Sequence, residues 1–219
     1  MKPSLRPDLR PLKTALFLAC LIPLSRLLVG SFTGGLGADP VAAITGSTGR
    51  WALNLLLVTL AFTPLRKLTG WQWLARLRRT VALFAFFYAC LHFAAYLVFD
   101  QFFDWAGMVA DIGKRPFIAA GFLCFALMVP LALTSTDGMM RRLGGRHWLR
   151  LHRLAYLGAA AAILHYLWLV KRDITMPGAY ALALCALLCA RLVQSRRKSK
   201  PGTVDAKRRQ PPENQRPCA

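Results

Sequence analysis

LAYLGAAAAILHYLWLV, residues 154–170, and VALFAFFYACLHFAAYLVF, residues 81–99, each set one histidine in an otherwise apolar run. His165 lies five residues before the end of the first run, and His92 seven before the end of the second. On helices running the same way, a rise of about 1.5 Å per residue puts the imidazoles roughly 8 Å and 10 Å below one membrane surface. Two neutral imidazoles at matching depth make the axial donor pair of a haem, whose ring would lie among Phe86, Phe87, Phe93 and Tyr96. With both axial positions filled by protein, such a site favours electron transfer, because none is left for oxygen. A buried histidine also has a plainer reading, as a hydrogen-bonding or proton-relay group between helices.

The solvent of this chain is set by its composition. It has 219 residues, 56% of them hydrophobic, and a mean hydropathy of +0.40, which points to an integral membrane protein. Apolar runs between charges predict an all-α bundle of six transmembrane helices, at residues 14–29, 51–62, 81–99, 117–134, 148–170 and 179–193. The first is read as a span and not as a signal peptide: it is longer than the usual apolar region, Arg26 interrupts its end, and no small-residue cleavage site follows. The expected organisation is a segment 1–13, a transmembrane domain 14–193, and a tail 194–219 rich in Lys, Arg, Pro and Gln. A tail of that composition is expected to be disordered.

A net charge of +20 invites a nucleic-acid reading, which the placement of the cations excludes. They gather in alternate connections: the N-terminus, the stretch from Arg66 and Lys67 to Arg76, Arg78 and Arg79, the stretch from Arg141 to Arg153, and the tail. The connection 31–49 has no Lys or Arg, and in 100–116 Lys114 and Arg115 face Asp100, Asp104 and Asp111. By the positive-inside rule both termini are cytoplasmic and the His92/His165 pair lies towards the periplasm. The excess charge orients the chain and attracts anionic lipid or an acidic partner. Cys20, Cys90, Cys124, Cys185 and Cys189 fall in predicted spans, and no C-x-x-C, C-x-x-C-H or prenylation box occurs. Zinc, c-type haem and a lipid anchor are therefore not indicated, and any haem is b-type. No nucleotide-binding glycine motif is present either, so electrons must come from another molecule.

A third histidine complicates the site. His152 lies 13 residues before His165 on the same predicted helix, about 20 Å deeper and roughly 140° round the axis. Fourteen residues before His92, where a partner for His152 would stand, the sequence has Arg78. With Arg79 it offers guanidinium groups for propionates or a flavin phosphate. A hydrocarbon core of about 30 Å needs a second redox group on that side. A haem on His152, a flavin at the basic loop and a quinone from the lipid are the candidates. His147 reads as a solvated loop residue. The glycines before Asp39-Pro40 form either a docking turn or a loop needing positive φ. Pro23, Pro64 and Pro130 shape helix ends or kinks, and Arg26 snorkels outward.

Ordered motifs extend over about residues 10–195. They are Gly34-Gly35-Leu36-Gly37-Ala38-Asp39-Pro40, Thr48-Gly49-Arg50, Thr63-Pro64, Arg78-Arg79, Leu91-His92, Arg115-Pro116, Leu133-Thr134-Ser135-Thr136, Leu143-Gly144, His147-Trp148, Leu151-His152 and His165-Tyr166 with Trp168. Together they resemble the MsrQ family, haem-binding membrane subunits of bacterial methionine-sulfoxide reductase systems. The resemblance implies a ferric reductase/NADPH oxidase-like six-helix fold in the bacterial inner membrane. It further implies haem b and FMN, electrons from the quinone pool or a cytosolic flavin reductase, and delivery to a periplasmic molybdopterin enzyme that repairs oxidised methionine. Reduction of substrate would belong to that partner. Carried onto this sequence, His92 and His165 are the outer iron ligands and His152 an inner one, while Arg78 departs from a four-histidine pattern. The rival class is a small transporter or proton channel with relay histidines. Against it, no Asp or Glu falls inside a predicted span.

Overall fold

The computed structural model describes residues 9–170 and 173–199. Among them the helices run α1 (Arg10–Thr33), α2 (Pro40–Thr69), α3 (Leu74–Ala95, prolonged by a π-helical turn Tyr96–Asp100), α4 (Trp105–Lys114), α5 (Pro116–Leu133), α6 (Asp137–Leu151), α7 (Leu154–Leu169) and α8 (Thr175–Ser199). Five of these, α1, α2, α3 with its π turn, α5 and α8, are long and apolar enough to cross a membrane. α7 is as apolar but shorter, at 16 residues. Five of the six apolar runs of the sequence each fall on one helix, the fifth run is divided between α6 and α7, and the protein is a helical membrane protein.

Local chemistry sets the helix ends. Gly34 and Gly70 close α1 and α2 in the left-handed region, at φ +71° and +75°, where a side chain would be strained. Asp39 opens α2 by accepting the amide of Ala42 at 2.9 Å, with Pro40 in the first turn. The glycine-rich stretch before Asp39 is thus a connector between helices, with Gly37 also at positive φ.

Four expectations change. α2 is 30 residues long where the apolar run suggested 51–62, so the connection 31–49 shrinks to residues 34–39. An apolar run reports only the part of a helix that lies in lipid, and α2 continues past it at both ends. The connection 100–116 contains a helix of its own, α4, capped by Asp104 on the amide of Gly107. The span 148–170 is broken at His152 and Arg153: α6 ends at Leu151 and α7 begins at Leu154. Arg141, Arg142, Arg146, Arg150 and Arg153 cannot enter hydrocarbon together. The segment instead turns, anchored by the Trp148 indole donating to the carbonyl of Thr134 at 2.9 Å. Finally, α8 continues to Ser199, so the first residues assigned to the tail are helical. The rest of the tail and residues 1–8 lie outside the described residues.

Two tight pairs, α2 with α3 and α5 with α7, form the centre. On α7 the small residues Ala155, Gly158 and Ala159 are buried, and a Cβ on Gly158 would lie 4.0 Å from Leu127 of α5, ordinary contact for closely approaching helices. α1 is tied on by Tyr88, which is fully buried. Its hydroxyl donates to the carbonyl of Cys20 at 2.8 Å and accepts from the amide of Leu24 at 3.1 Å. These are the two groups that a helix pairs at i and i+4, and beside Pro23 the tyrosine hydroxyl bonds both. Tyr88→Phe is expected to cost about 1–3 kcal/mol by leaving both unpaired. An unchanged unfolding midpoint in detergent would show that the α1 ladder closes without the hydroxyl.

Candidate metal centre

α3 and α7 bring His92 and His165 together, with ring centroids 6.1 Å apart and planes at 78°. Each ring is held from behind by the helix paired with its own. His92 Nδ1 donates to the carbonyl of Thr45 on α2 at 3.0 Å, and His165 Nδ1 to the carbonyl of Phe117 on α5 at 2.6 Å. A carbonyl only accepts, so the proton of each neutral imidazole sits on Nδ1 and Nε2 keeps its lone pair.

Four residues beyond each carbonyl stands a glycine. In a helix the carbonyl of residue i meets the N–H of i+4, so the residue at i+4 stands where the imidazole must approach. A Cβ on Gly49 would lie 3.0 Å from His92 Cε1 and 3.1 Å from Nδ1; one on Gly121 would lie 2.9 Å from His165 Nδ1. Thr45 with Gly49, and Phe117 with Gly121, are therefore the same device used twice. Sequence reasoning passed over Thr45, Phe117 and Gly121 and took Gly49 only as part of a motif; the shared spacing of four was the available signal.

This pair fits a haem. Two metal–nitrogen bonds of about 2 Å and half a ring at each end span about 6 Å, close to the observed separation. Among the described residues no three His, Cys, Asp or Glu converge as a metal site, so these two imidazoles are the donors the protein offers here. Aromatic side chains of α3 and α5 pack beside the site: Phe93 on Phe125 at 4.9 Å and on Phe122 at 5.4 Å, Tyr96 on Phe122, and Phe86 on Phe125. Phe87 does not join them; it faces Phe84, which packs on Phe17 of α1.

His152 is not on α7 but caps α6, so the azimuth expected for a shared helix does not apply. Its ring stacks on Trp148 at 3.8 Å, and its Nδ1 bonds the Trp148 carbonyl at 3.0 Å. Its Nε2 is buried without a hydrogen-bond partner. Burial holds this imidazole below its ordinary pKa; the Trp148 carbonyl opposes the shift and the charge of Arg78 adds to it. The group is thus a neutral donor with an unused lone pair.

Arg78 shares a face of α3 with Ala85 and His92, at steps of seven. It is half-buried, and it feels the charges of Arg191 on α8 and Arg66 on α2 and the hydroxyl group of Tyr156 on α7. Arg191 lies 4.6 Å over the Tyr156 ring and donates to its hydroxyl. No carboxylate forms an ion pair with these three arginines among the described residues. Arg79 points elsewhere, to Asp137 at 2.7 Å on the exposed surface. His147 is exposed. Arg66 is one of the orientation charges of the sequence, and Arg191 stands near the end of the sixth apolar run.

Residues 48–163 match the ferric reductase like transmembrane component. The chain is 48% identical over 208 residues to the protein-methionine-sulfoxide reductase heme-binding subunit MsrQ of Herminiimonas arsenicoxydans, covering 92% of this chain and 95% of that one. It is 48% identical over 190 residues to the protein of the same description from Rhodospirillum rubrum, covering 87% and 91%. Against that of Xanthomonas campestris pv. campestris it is 51% identical over 183 residues, covering 80% and 83%. The stretch matched to the transmembrane component includes His92 and His152 and stops two residues before His165.

Proposed function

The chain belongs to the MsrQ family of haem-binding subunits of protein-methionine-sulfoxide reductases, and from that premise we propose that it passes electrons across the bacterial inner membrane to a periplasmic molybdopterin methionine-sulfoxide reductase. α7 is the sixth span beside the five longer helices, and both termini are cytoplasmic. The organisation is a cytoplasmic segment 1–13, a transmembrane domain 14–193, and a basic cytoplasmic tail. The positive-inside distribution supports this orientation.

One observation carries the reading: two imidazoles 6.1 Å apart, each with Nδ1 committed to a helix carbonyl. His92 and His165 hold a b-type haem through Nε2 on the periplasmic side. Haem iron supplies one-electron ferric/ferrous chemistry when bound. The two carbonyls fix the tautomer and raise the basicity of the ligating nitrogens. The aromatic side chains of α3 and α5 keep water from one side of the site.

At the cytoplasmic end His152 offers Nε2 to a second cofactor, a haem or FMN. Arg78, joined by Arg66 and Arg191 in place of Arg79, holds its anionic edge. Three guanidinium groups without a carboxylate partner fit propionates or a phosphate. The donor is a cytosolic flavin reductase or a membrane quinol.

An absorption spectrum of the purified, dithionite-reduced protein tests the function. Reduced b-type bands are expected; a colourless preparation of full helical content would sink the electron-transfer reading. For the inner end, Arg78→Ala is expected to lower occupancy of the cytoplasmic cofactor roughly tenfold, the worth of a charge-assisted hydrogen bond. The outer haem should be spared. Haem and flavin are assayed separately, and equal loss of both cofactors would remove the specific role of Arg78.

A further inference from the structure

α1 and α2 enclose a cavity of about 410 Å³ whose lining includes Ile22, Pro23, Arg26, Leu27, Ser47 and Trp51. Ser47 and Trp51 lie roughly 160° round α2 from Thr45 and Gly49, so the cavity is on the opposite side of that helix from His92. Ile22, Arg26 and Trp51 are exposed, and the cavity therefore opens at the flank of the bundle. Arg26 stands about 10 Å below the end of α1. Among the described residues neither Arg26 nor Ser47 has an ion pair or side-chain hydrogen bond, and no carboxylate lines the cavity.

Arg26 is three residues, about 5 Å, inside the end of the apolar run 14–29 and so reaches the headgroup level, where a guanidinium beside an opening towards lipid matches an anion that arrives with acyl chains. We propose that this cavity binds an anionic phospholipid, with its phosphate on Arg26 and Ser47 and its chains leaving along Ile22 and Leu27. Guanidinium and phosphate match as a bidentate pair. Trp51 supplies the indole that membrane proteins place at headgroup level. An ammonium headgroup would find no carboxylate here, which favours phosphatidylglycerol over phosphatidylethanolamine. The bound lipid braces α1 against α2, the helix whose other face carries the Thr45 carbonyl. The site does not depend on the haem reading.

The test uses the full chain in detergent, titrated with phosphatidylglycerol, phosphatidylethanolamine or ubiquinone and read by native mass spectrometry. A single phosphatidylglycerol should bind roughly tenfold more tightly than phosphatidylethanolamine. Arg26→Gln should lose about the same factor and Arg26→Lys less, the span of one charge-assisted hydrogen bond. Ser47→Ala, a milder change, should weaken binding in the same direction even if Arg26→Gln fails to fold. Undiminished binding in every folded variant, equal affinity for the two phospholipids, or displacement of phosphatidylglycerol by equimolar ubiquinone overturns the proposal; the last assigns the cavity to a quinone.

Discussion

His92→Ala and His165→Ala are each expected to strip the outer haem while leaving the helical bundle standing. The separation of these effects follows from what each ring contacts. His92 donates to Thr45 and His165 to Phe117, carbonyls that lie inside α2 and α5, where a helix pairs them with the amides four residues on, those of Gly49 and Gly121. Losing one neutral hydrogen bond costs about 1 kcal/mol, and the imidazole-sized space costs a few more. Loss of an axial ligand acts on the cofactor far more strongly than loss of an outer-shell partner, which alone costs about 10–100-fold in metal affinity. Haem per chain should therefore fall by more than about tenfold, with the circular dichroism spectrum unchanged. Retention of a bis-imidazole spectrum in both variants would falsify the pairing. Recovery on adding free imidazole would separate a missing ligand from a collapsed site.

The contrast between the two ends of the molecule shows what the sequence made legible. His92 and His165 stood out because each is a polar group isolated in an apolar run, where hydrocarbon makes such a group costly and hence informative. The inner end offered no such contrast. His152 is set among arginines, and an apolar window running from Trp148 onward carried it onto the wrong helix. α6 ends at Leu151 beside a tertiary contact, Trp148 to Thr134, which no periodicity in the sequence encodes. Arg66 and Arg191 were likewise visible as charges, yet their convergence on Arg78 depends on how α2, α3 and α8 pack. The role of Tyr88 was hidden for the same reason, since its partners Cys20 and Leu24 lie on a different helix.

Gly121→Val is expected to abolish binding of the outer haem as fully as removal of His165, although residue 121 offers no ligand. In α5 a Cβ at this position would come within 2.9 Å of His165 Nδ1 and 3.1 Å of Cε1. The imidazole has little room to yield, because its Nδ1 is already drawn to the Phe117 carbonyl at 2.6 Å. Replacing a helical glycine by alanine stabilises the helix itself by about 1 kcal/mol, whereas overpacking costs about 1–3 kcal/mol. Gly121→Ala should thus fold nearly as well as the parent and show its damage in the ring. Shifting the Nδ1 contact alters an outer-shell partner of the metal, with an expected loss of about 10–100-fold in haem affinity and a changed low-spin resonance. The branched valine cannot be accommodated by a small tilt and takes the loss to completion. Gly49→Ala should act on His92 in the same way, since its Cβ would lie 3.0 Å from that ring. Gly113→Ala, in open space on α4, controls for the gain in helix propensity. Full haem content with an unchanged resonance spectrum in Gly121→Val would mean that His165 reaches the metal in another orientation, and that the paired carbonyl and glycine do not set the site.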